Sequence, residues 1–179
     1  GAMGNQMVLT GTLTFDQTKI NTVSSRVDGR IERLYFKNIG DFVARGARLF
    51  DLYSETLNNA KQEYLLAVQK RKILGNTVID FDQVIESAKN KLRLWGMSET
   101  QISSLQNDGN NTVTSFYSTE SGYITNLNVQ QGEYVSEGTT IVQLAGLSSL
   151  WVEAQVYTAQ LGQLNKSAKA TVSIPDIPG

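Results

Sequence analysis

The sequence of 179 residues contains no cysteine and no histidine. The chain therefore cannot supply a thiolate nucleophile, a Ser–His–Asp triad or a zinc site of the usual Cys/His kind. Because it cannot form disulfides either, its composition fits an oxidising or a reducing compartment equally well. The chain also lacks an excess of positive charge: its net charge is −1 and its pI is about 5.5. Without a basic field to hold a phosphate backbone, nucleic acid is not an expected partner.

Long apolar runs are missing as well. No stretch of about 18 apolar residues occurs, so the sequence predicts no membrane-spanning helix within these residues. Residues 1–4, Gly-Ala-Met-Gly, are typical of the remnant of a cleaved expression tag and carry no information about the fold. Because the natural N-terminus is replaced, the sequence does not decide whether the protein carries a signal peptide or a lipid anchor. With 40% hydrophobic residues, the remainder is expected to fold as one to three small units.

An internal repeat is the clearest positive feature. Residues 25–53 read SRVDGRIERLYFKNIGDFVARGARLFDLY, and residues 118–145 read STESGYITNLNVQQGEYVSEGTTIVQLA. Both follow the pattern G-x-I-x-x-L and then G-[DE]-[FY]-V-x-x-G-x-x-[LI]-[FV]-x-L. Alternating apolar residues broken by glycines predict short antiparallel strands joined by tight turns. Two such sets of about four strands can bury their apolar faces only against each other, which predicts a flattened sandwich with pseudo-two-fold symmetry.

The repeated glycines are assigned to backbone geometry at positive φ in the turns of the two halves, in preference to ligand contact. These structural turn residues are Gly29, Gly40, Gly46, Gly122, Gly132 and Gly138.

Between the halves, residues 54–117 change to a helical period. Ser54 is the predicted N-cap of a first helix that stops at Gly75, and an apolar stripe from Phe81 to Trp95 predicts an antiparallel second helix. Ser98 opens a capping box for a short third helix. Trp95 and Trp151 are predicted core residues. The lysines of this insert are interpreted as solvated helix-face charges: Lys61, Lys70, Lys72, Lys89 and Lys91.

The predicted fold class is α+β, mostly β: a lipoyl/biotinyl-like β-sandwich split by a short three-helix hairpin insert, with an incomplete β-barrel. The barrel takes residues 5–20 and 147–179, the sandwich 21–53 and 118–146, and the helical hairpin 54–117. Within the barrel part, alternation predicts strands at 8–15, 151–157 and 168–174, with a short helix at 158–164. Hinges are expected at 25–30 and 146–149, where the chain passes between units.

Several motifs resemble those of periplasmic adaptors, also called membrane fusion proteins, and in particular the CusB-like branch of the HlyD-like family. Residues 11–66 carry a similar strand and a similar half-motif. They also carry a segment that resembles the branch's A-Q-x-E-Y-L helix motif, which here reads Ala60-Lys61-Gln62-Glu63-Tyr64-Leu65 with a lysine after Ala60. KLRLWGMSETQISSL at 91–105 and the second half at 121–157 resemble further segments of the branch. Tyr53-Ser54-Glu55 stand where lipoyl and biotinyl carrier domains have their modified lysine, so that lysine is missing.

The resemblance implies a scaffold without an active site or cofactor. Such a protein would lie in the periplasm and bridge an inner-membrane resistance-nodulation-division (RND) pump and a TolC-like outer-membrane channel. It would associate into a ring, and an anchor in the inner membrane is left open for the full-length protein. Its cargo would be a heavy metal, Cu/Ag or another cation. No metal ligands are assigned within this chain: Met3 and Met7 do not form a thioether cluster, and Met97 is expected to pack.

Gly75, Asn76 and Thr77 are the candidate channel-facing hairpin tip, with an ordinary polar helix connection as the alternative interpretation. Other functions stay open: an adaptor of a drug-exporting or ABC-type pump, or a covalent biotinyl/lipoyl carrier domain. An enzyme using Asp80, Asp82 or Glu99 is a further alternative, although Asp80 and Asp82 are explained by the dipole of the second helix.

Overall fold

The computed structural model describes residues 8–15, 19–108, 110–146 and 150–154, with 12–15 and 150–154 described as backbone alone. The chain divides into two compact units, Phe15–Ser149 and a second made of Gly1–Thr14 with Leu150–Gly179. The strands β1 (Gly11–Phe15) and β10 (Leu150–Ala154) form a two-stranded sheet, which belongs to the second unit except for Phe15 at the end of β1. The predictions for 155–157, 158–164 and 168–174, for Met3 and Met7, and for the Trp151 side chain lie outside the described residues.

Eight strands form the sandwich of the larger unit: β2 (Ile20–Ser24), β3 (Gly29–Leu34), β4 (Phe42–Val43), β5 (Arg48–Tyr53), β6 (Val113–Tyr117), β7 (Gly122–Leu127), β8 (Tyr134–Val135) and β9 (Thr140–Ala145). They pair antiparallel in two four-stranded sheets, ordered β2-β9-β7-β4 and β6-β5-β3-β8. The predicted fold class, mostly β with a helical insert, is confirmed.

The two repeats exchange their edge strands. The chain before the insert, taken as the first half, supplies β2 to β5, and the chain after it, taken as the second half, supplies β6 to β9. Of these strands, β6 lies within 54–117, the range that the sequence assigned to the hairpin. Each sheet has two central strands from one half flanked by two edge strands from the other. The repeat in the sequence predicted instead that each half forms one face of the sandwich. Each edge strand satisfies its inward-facing backbone groups by pairing with a central strand of the other half. Consequently neither half is a separable sheet.

Matching hydrogen bonds document the pseudo-symmetry. The Gly40 amide donates to the carbonyl of Ile124 at 2.8 Å, and the Gly132 amide donates to that of Ile31 at 2.6 Å. In the same way the Gly46 amide donates to Ser118 and the Gly138 amide to Ser25, both at 2.7 Å. All four glycines have positive φ, between 82° and 93°, a region that L side chains rarely adopt.

Gly29 and Gly122 have a different role from these turn glycines. Each is the first residue of a strand, β3 or β7, and neither is among the positive-φ glycines of the described chain. Close approach excludes a side chain there: a Cβ at Gly29 would lie 2.5 Å from the Tyr53 carbonyl oxygen, and one at Gly122 would lie 2.8 Å from that of Ala145. The repeated glycines therefore have two roles: Gly29 and Gly122 allow close contact with a neighbouring strand, and the other four allow the positive φ of the turns.

The core follows the repeat and extends to the base of the helices. Equivalent positions of the two halves are buried together: Ile31 with Ile124, Val43 with Val135, Leu49 with Ile141 and Leu52 with Leu144. Leu57, Tyr64, Leu92, Met97 and Ile102 from the insert belong to the same hydrophobic cluster. Met97 packs as predicted, and Trp95 is partly buried against this cluster. Sandwich and helix base therefore share one core.

Three helices make up the insert: α1 (Glu55–Leu74), α2 (Phe81–Leu94) and α3 (Glu99–Ser104). The predicted caps are confirmed, since the Ser54 hydroxyl accepts from the Leu57 amide at 3.1 Å and Ser98 forms a capping box with Gln101. The apolar stripe of α2 is narrower than the sequence predicts, because Val84, which the helical period places on the stripe, is 44% exposed.

Lys61 departs from its predicted place on a solvated helix face. It is 3% exposed, because the loop after α3 covers this side of α1. Its ammonium donates to the Asn111 carbonyl at 3.4 Å, and Asn58 on the same side of the helix donates to the carbonyl of Thr112.

Residues 25–30, which were expected to form a hinge between units, lie instead within the larger unit. Ser25 and Val27 are buried there, and the Ser25 amide donates to the Thr139 carbonyl at 2.8 Å.

Candidate functional site

The turn between α1 and α2 contains Gly75, Asn76 and Thr77, the three residues that we predicted as the hairpin tip. Gly75 ends α1 with a φ of 62°, and its amide donates to the Arg71 carbonyl at 2.9 Å. Asn76 and Thr77 follow and are exposed, and Asp80 caps α2 by accepting from the Gln83 amide at 3.2 Å. Since α1 has 20 residues, the turn lies about 30 Å along the helix from its base.

Asn76 is occupied inside the turn. Its side-chain carbonyl accepts from the Phe81 amide at 3.1 Å, and its side-chain amide donates to Asp82 at 2.6 Å. Arg71 from the end of α1 forms an ion pair with the same Asp82 carboxylate. Hydrogen bonds from Arg71 and then from Asn76 hold the pKa of Asp82 below its ordinary range. These contacts close the turn, so Asn76 positions the tip while its polar atoms face inward.

Apolar side chains are exposed around this turn, and they were not predicted from the sequence. Ile73 is 72% exposed, Leu74 60%, Val78 94% and Ile79 51%. Exposed aliphatic residues concentrated at one end of a hairpin are unusual for a surface that faces only water. The available signal was the run Thr-Val-Ile between the two helices, where a solvated connection would be polar.

The carboxylates that were considered for catalysis have structural partners. Asp80 is a helix cap and Asp82 belongs to the turn network. Glu99 pairs with Arg93, whose hydrogen bond lowers the pKa of Glu99. A carboxyl with a lowered pKa stays ionised and is a poor proton donor. In the described part of the chain, no cluster of three or more Asp and Glu residues is placed to hold a metal ion.

A two-sheet sandwich of interleaved halves, interrupted by a helical hairpin, defines the class of barrel-sandwich hybrid domains. The family model described as "CusB, barrel-sandwich hybrid domain" matches residues 20–145. The chain belongs to this family.

Two curated relatives extend the similarity beyond the sandwich. SilB of Salmonella typhimurium, described as a membrane fusion protein, is 25% identical over 181 aligned positions, which cover 99% of this chain and 40% of SilB. The cation efflux system protein CusB of Escherichia coli O6:H1 is 26% identical over 167 positions, covering 93% of this chain and 39% of CusB. The chain thus spans about two fifths of the length of these relatives.

A solved structure supports the fold independently. The crystal structure of ZneB from Cupriavidus metallidurans matches with a TM-score of 0.53 and 22% sequence identity, over 88% of this chain and 73% of ZneB. None of the helices in the described residues combines the length and the hydropathy needed to cross a membrane.

Proposed function

We propose that the chain is part of the periplasmic adaptor of a cation efflux system and joins an inner-membrane RND transporter to a TolC-like outer-membrane channel. The observation that carries this proposal is the CusB-domain match across residues 20–145, which includes both sandwich halves and the hairpin between them. Relatives named for membrane fusion and for cation efflux align over more than 90% of the chain. Ring-like self-association and a heavy-metal cargo such as Cu/Ag belong to the same proposal.

The physical character of the insert supports a role in contact. Its turn is braced by Arg71, Asn76 and Asp82, so a partner would meet a preformed surface and little ordering entropy would be lost on binding. Val78 is the most exposed of the apolar side chains at this end. The contact would therefore be made by Thr77 and the surrounding aliphatic residues, with Gly75 and Asn76 shaping the turn.

Growth of a bacterium from which the whole gene has been removed tests the cargo. We expect sensitivity to one group of cations, measured separately for copper, silver, zinc, cobalt and cadmium, with restoration by the intact gene. Unchanged cation tolerance together with new sensitivity to organic drugs would contradict the proposal and favour the drug-exporting or ABC-type alternative.

The contact role of the tip is tested in the intact protein by Val78→Asp. A carboxylate at this 94% exposed position should leave the fold unchanged but make apolar contact with a channel unfavourable, so cation tolerance should fall. Leu94→Asp is the matched control, because Leu94 is 74% exposed at the other end of α2. Equal loss of tolerance in both variants, at normal protein abundance, would rule out a contact specific to the tip.

A further inference from the structure

The proposed adaptor function assigns no role to the cleft beside Lys61. This cleft has a volume of about 180 Å³ and lies between α1, α3, the loop after α3 and β6.

Lys61 is a buried cation with incomplete partners. It is 3% exposed, and its one hydrogen bond within the described residues, to the Asn111 carbonyl, is long at 3.4 Å. An ammonium has three donors, so two are unused there. Among the described residues no carboxylate lies within ion-pair distance of it; Asp108 interacts at longer range from an exposed position. Desolvation lowers the Lys61 pKa, and Asp108 opposes this. A buried charge of this kind is costly until an anion reaches it.

A second buried polar group lines the same cleft. Thr114 is 4% exposed, and its hydroxyl has no hydrogen-bond partner in the part of the chain that the structure describes. Neighbouring polar side chains are already engaged: Gln101 donates to the Ser115 carbonyl at 2.8 Å, and Ser104 donates to the Thr100 carbonyl at 2.8 Å. Unused donors therefore remain on Lys61 and Thr114, which is the arrangement that an anionic ligand satisfies.

We propose that this cleft binds a small monocarboxylate with an apolar body. A carboxylate in the cleft would accept from the Lys61 ammonium, and it would accept from the Thr114 hydroxyl as well once the contacts that close that hydroxyl off from solvent are displaced. Met97, Leu105 and Val113 would supply an apolar wall for the rest of the ligand. A dianion such as phosphate fits less well, because Lys61 faces it alone as a cation while Asp108 on the rim repels it. This inference is independent of the proposed adaptor function.

NMR titration of the 179-residue chain tests the proposal, with sodium hexanoate as the probe and hexanol and inorganic phosphate as comparisons at matched ionic strength. Hexanoate should shift the Lys61 ε resonances and the Met97 methyl saturably and raise the Lys61 pKa, because an anion stabilises the ammonium. Hexanol and phosphate should produce no saturable shift.

Three variants identify the contacts. Lys61→Met should abolish saturable binding, and Lys72→Met, an exposed lysine of the same helix, should leave it unchanged. Thr114→Val keeps the shape of the side chain and should weaken binding about tenfold. Non-saturable shifts with hexanoate would show a cleft that holds only water and would overturn the proposal. So would equal binding of hexanol or phosphate, or unchanged hexanoate affinity in folded Lys61→Met or Thr114→Val.

Discussion

The carboxylate of Asp51 is the centre of a polar network in the sandwich, and its removal gives a quantitative test of the fold. Asp51 lies in β5 and is 7% exposed. It accepts from the Tyr35 hydroxyl and the Ser115 hydroxyl, each at 2.8 Å, and from the Arg48 guanidinium at 3.0 and 3.1 Å. Asp51→Ala would leave these three donors without their acceptor.

The expected loss of stability follows from these contacts. Each of the two hydroxyl hydrogen bonds contributes about 1 kcal/mol net. Arg48 is 44% exposed, so its ion pair is screened and adds about 0–1 kcal/mol. Asp51→Ala should therefore lower the free energy of unfolding by about 2–3 kcal/mol. Asp28→Ala, at an exposed aspartate, should change it by less than about 0.5 kcal/mol.

Urea unfolding followed by tryptophan fluorescence measures both variants, and a double-mutant cycle with Tyr35→Phe isolates one contact. Tyr35→Phe should cost about 1 kcal/mol in the wild-type background and close to nothing in the Asp51→Ala background. If Asp51→Ala costs no more than the Asp28 control, or if Tyr35→Phe costs the same in both backgrounds, the network does not stabilise the sandwich.

Three further predictions concern single positions. Gly29→Ala should destabilise the sandwich by about 1–3 kcal/mol in urea unfolding, because the new Cβ would lie 2.5 Å from the Tyr53 carbonyl oxygen; a change below about 0.5 kcal/mol would contradict this contact. Ser54→Ala should cost about 1 kcal/mol and reduce helicity measured by circular dichroism, because the Leu57 amide loses its cap; unchanged helicity and stability would show that the cap is dispensable. The pKa of Asp82 is lowered in the folded state. The stability that the Asp82 carboxylate gives to the turn is therefore fully present above the pKa of Asp82 in the unfolded chain, and it is lost as the pH falls through the lower pKa of the folded state. Amide hydrogen exchange in the turn, corrected for intrinsic rates, should accelerate over that acidic range in the wild type and show no such transition in Asp82→Asn.

Local signals predicted the elements well. The caps at Ser54 and Ser98 depend on a side chain and an amide three residues away, so the sequence contains all that is needed to predict them. Four of the six repeated glycines lie in turns at positive φ, as their spacing predicted. Gly29 and Gly122 were predicted as turn residues too, but their role depends on a carbonyl of a neighbouring strand, which local spacing does not reveal.

Features that depend on distant parts of the chain were not predictable in the same way. Lys61 is buried by the loop around Asn111, 50 residues later, and Asp51 is satisfied by Ser115, 64 residues later. The exchange of edge strands between the halves has the same origin, since either pairing satisfies the local alternation of apolar residues. At the tip, the polar residues suggested a contact surface, but Asn76 is used within the turn and aliphatic side chains are exposed.

The point of insertion explains how a sandwich accommodates a helical hairpin. The chain leaves the sandwich after Tyr53 and returns at Val113, and these two residues are register partners in the antiparallel pair β5 and β6. The insert therefore replaces the connection of an ordinary β-hairpin, and its two ends are held together by the sheet whatever its length. Since Ser54 caps α1 directly after β5 and Gln101 of α3 bonds to β6, the base of the insert is fixed at both ends. Because β5 and β6 fix both ends, a helical insert of a different length could project from this position without disturbing the pairing of the sandwich strands.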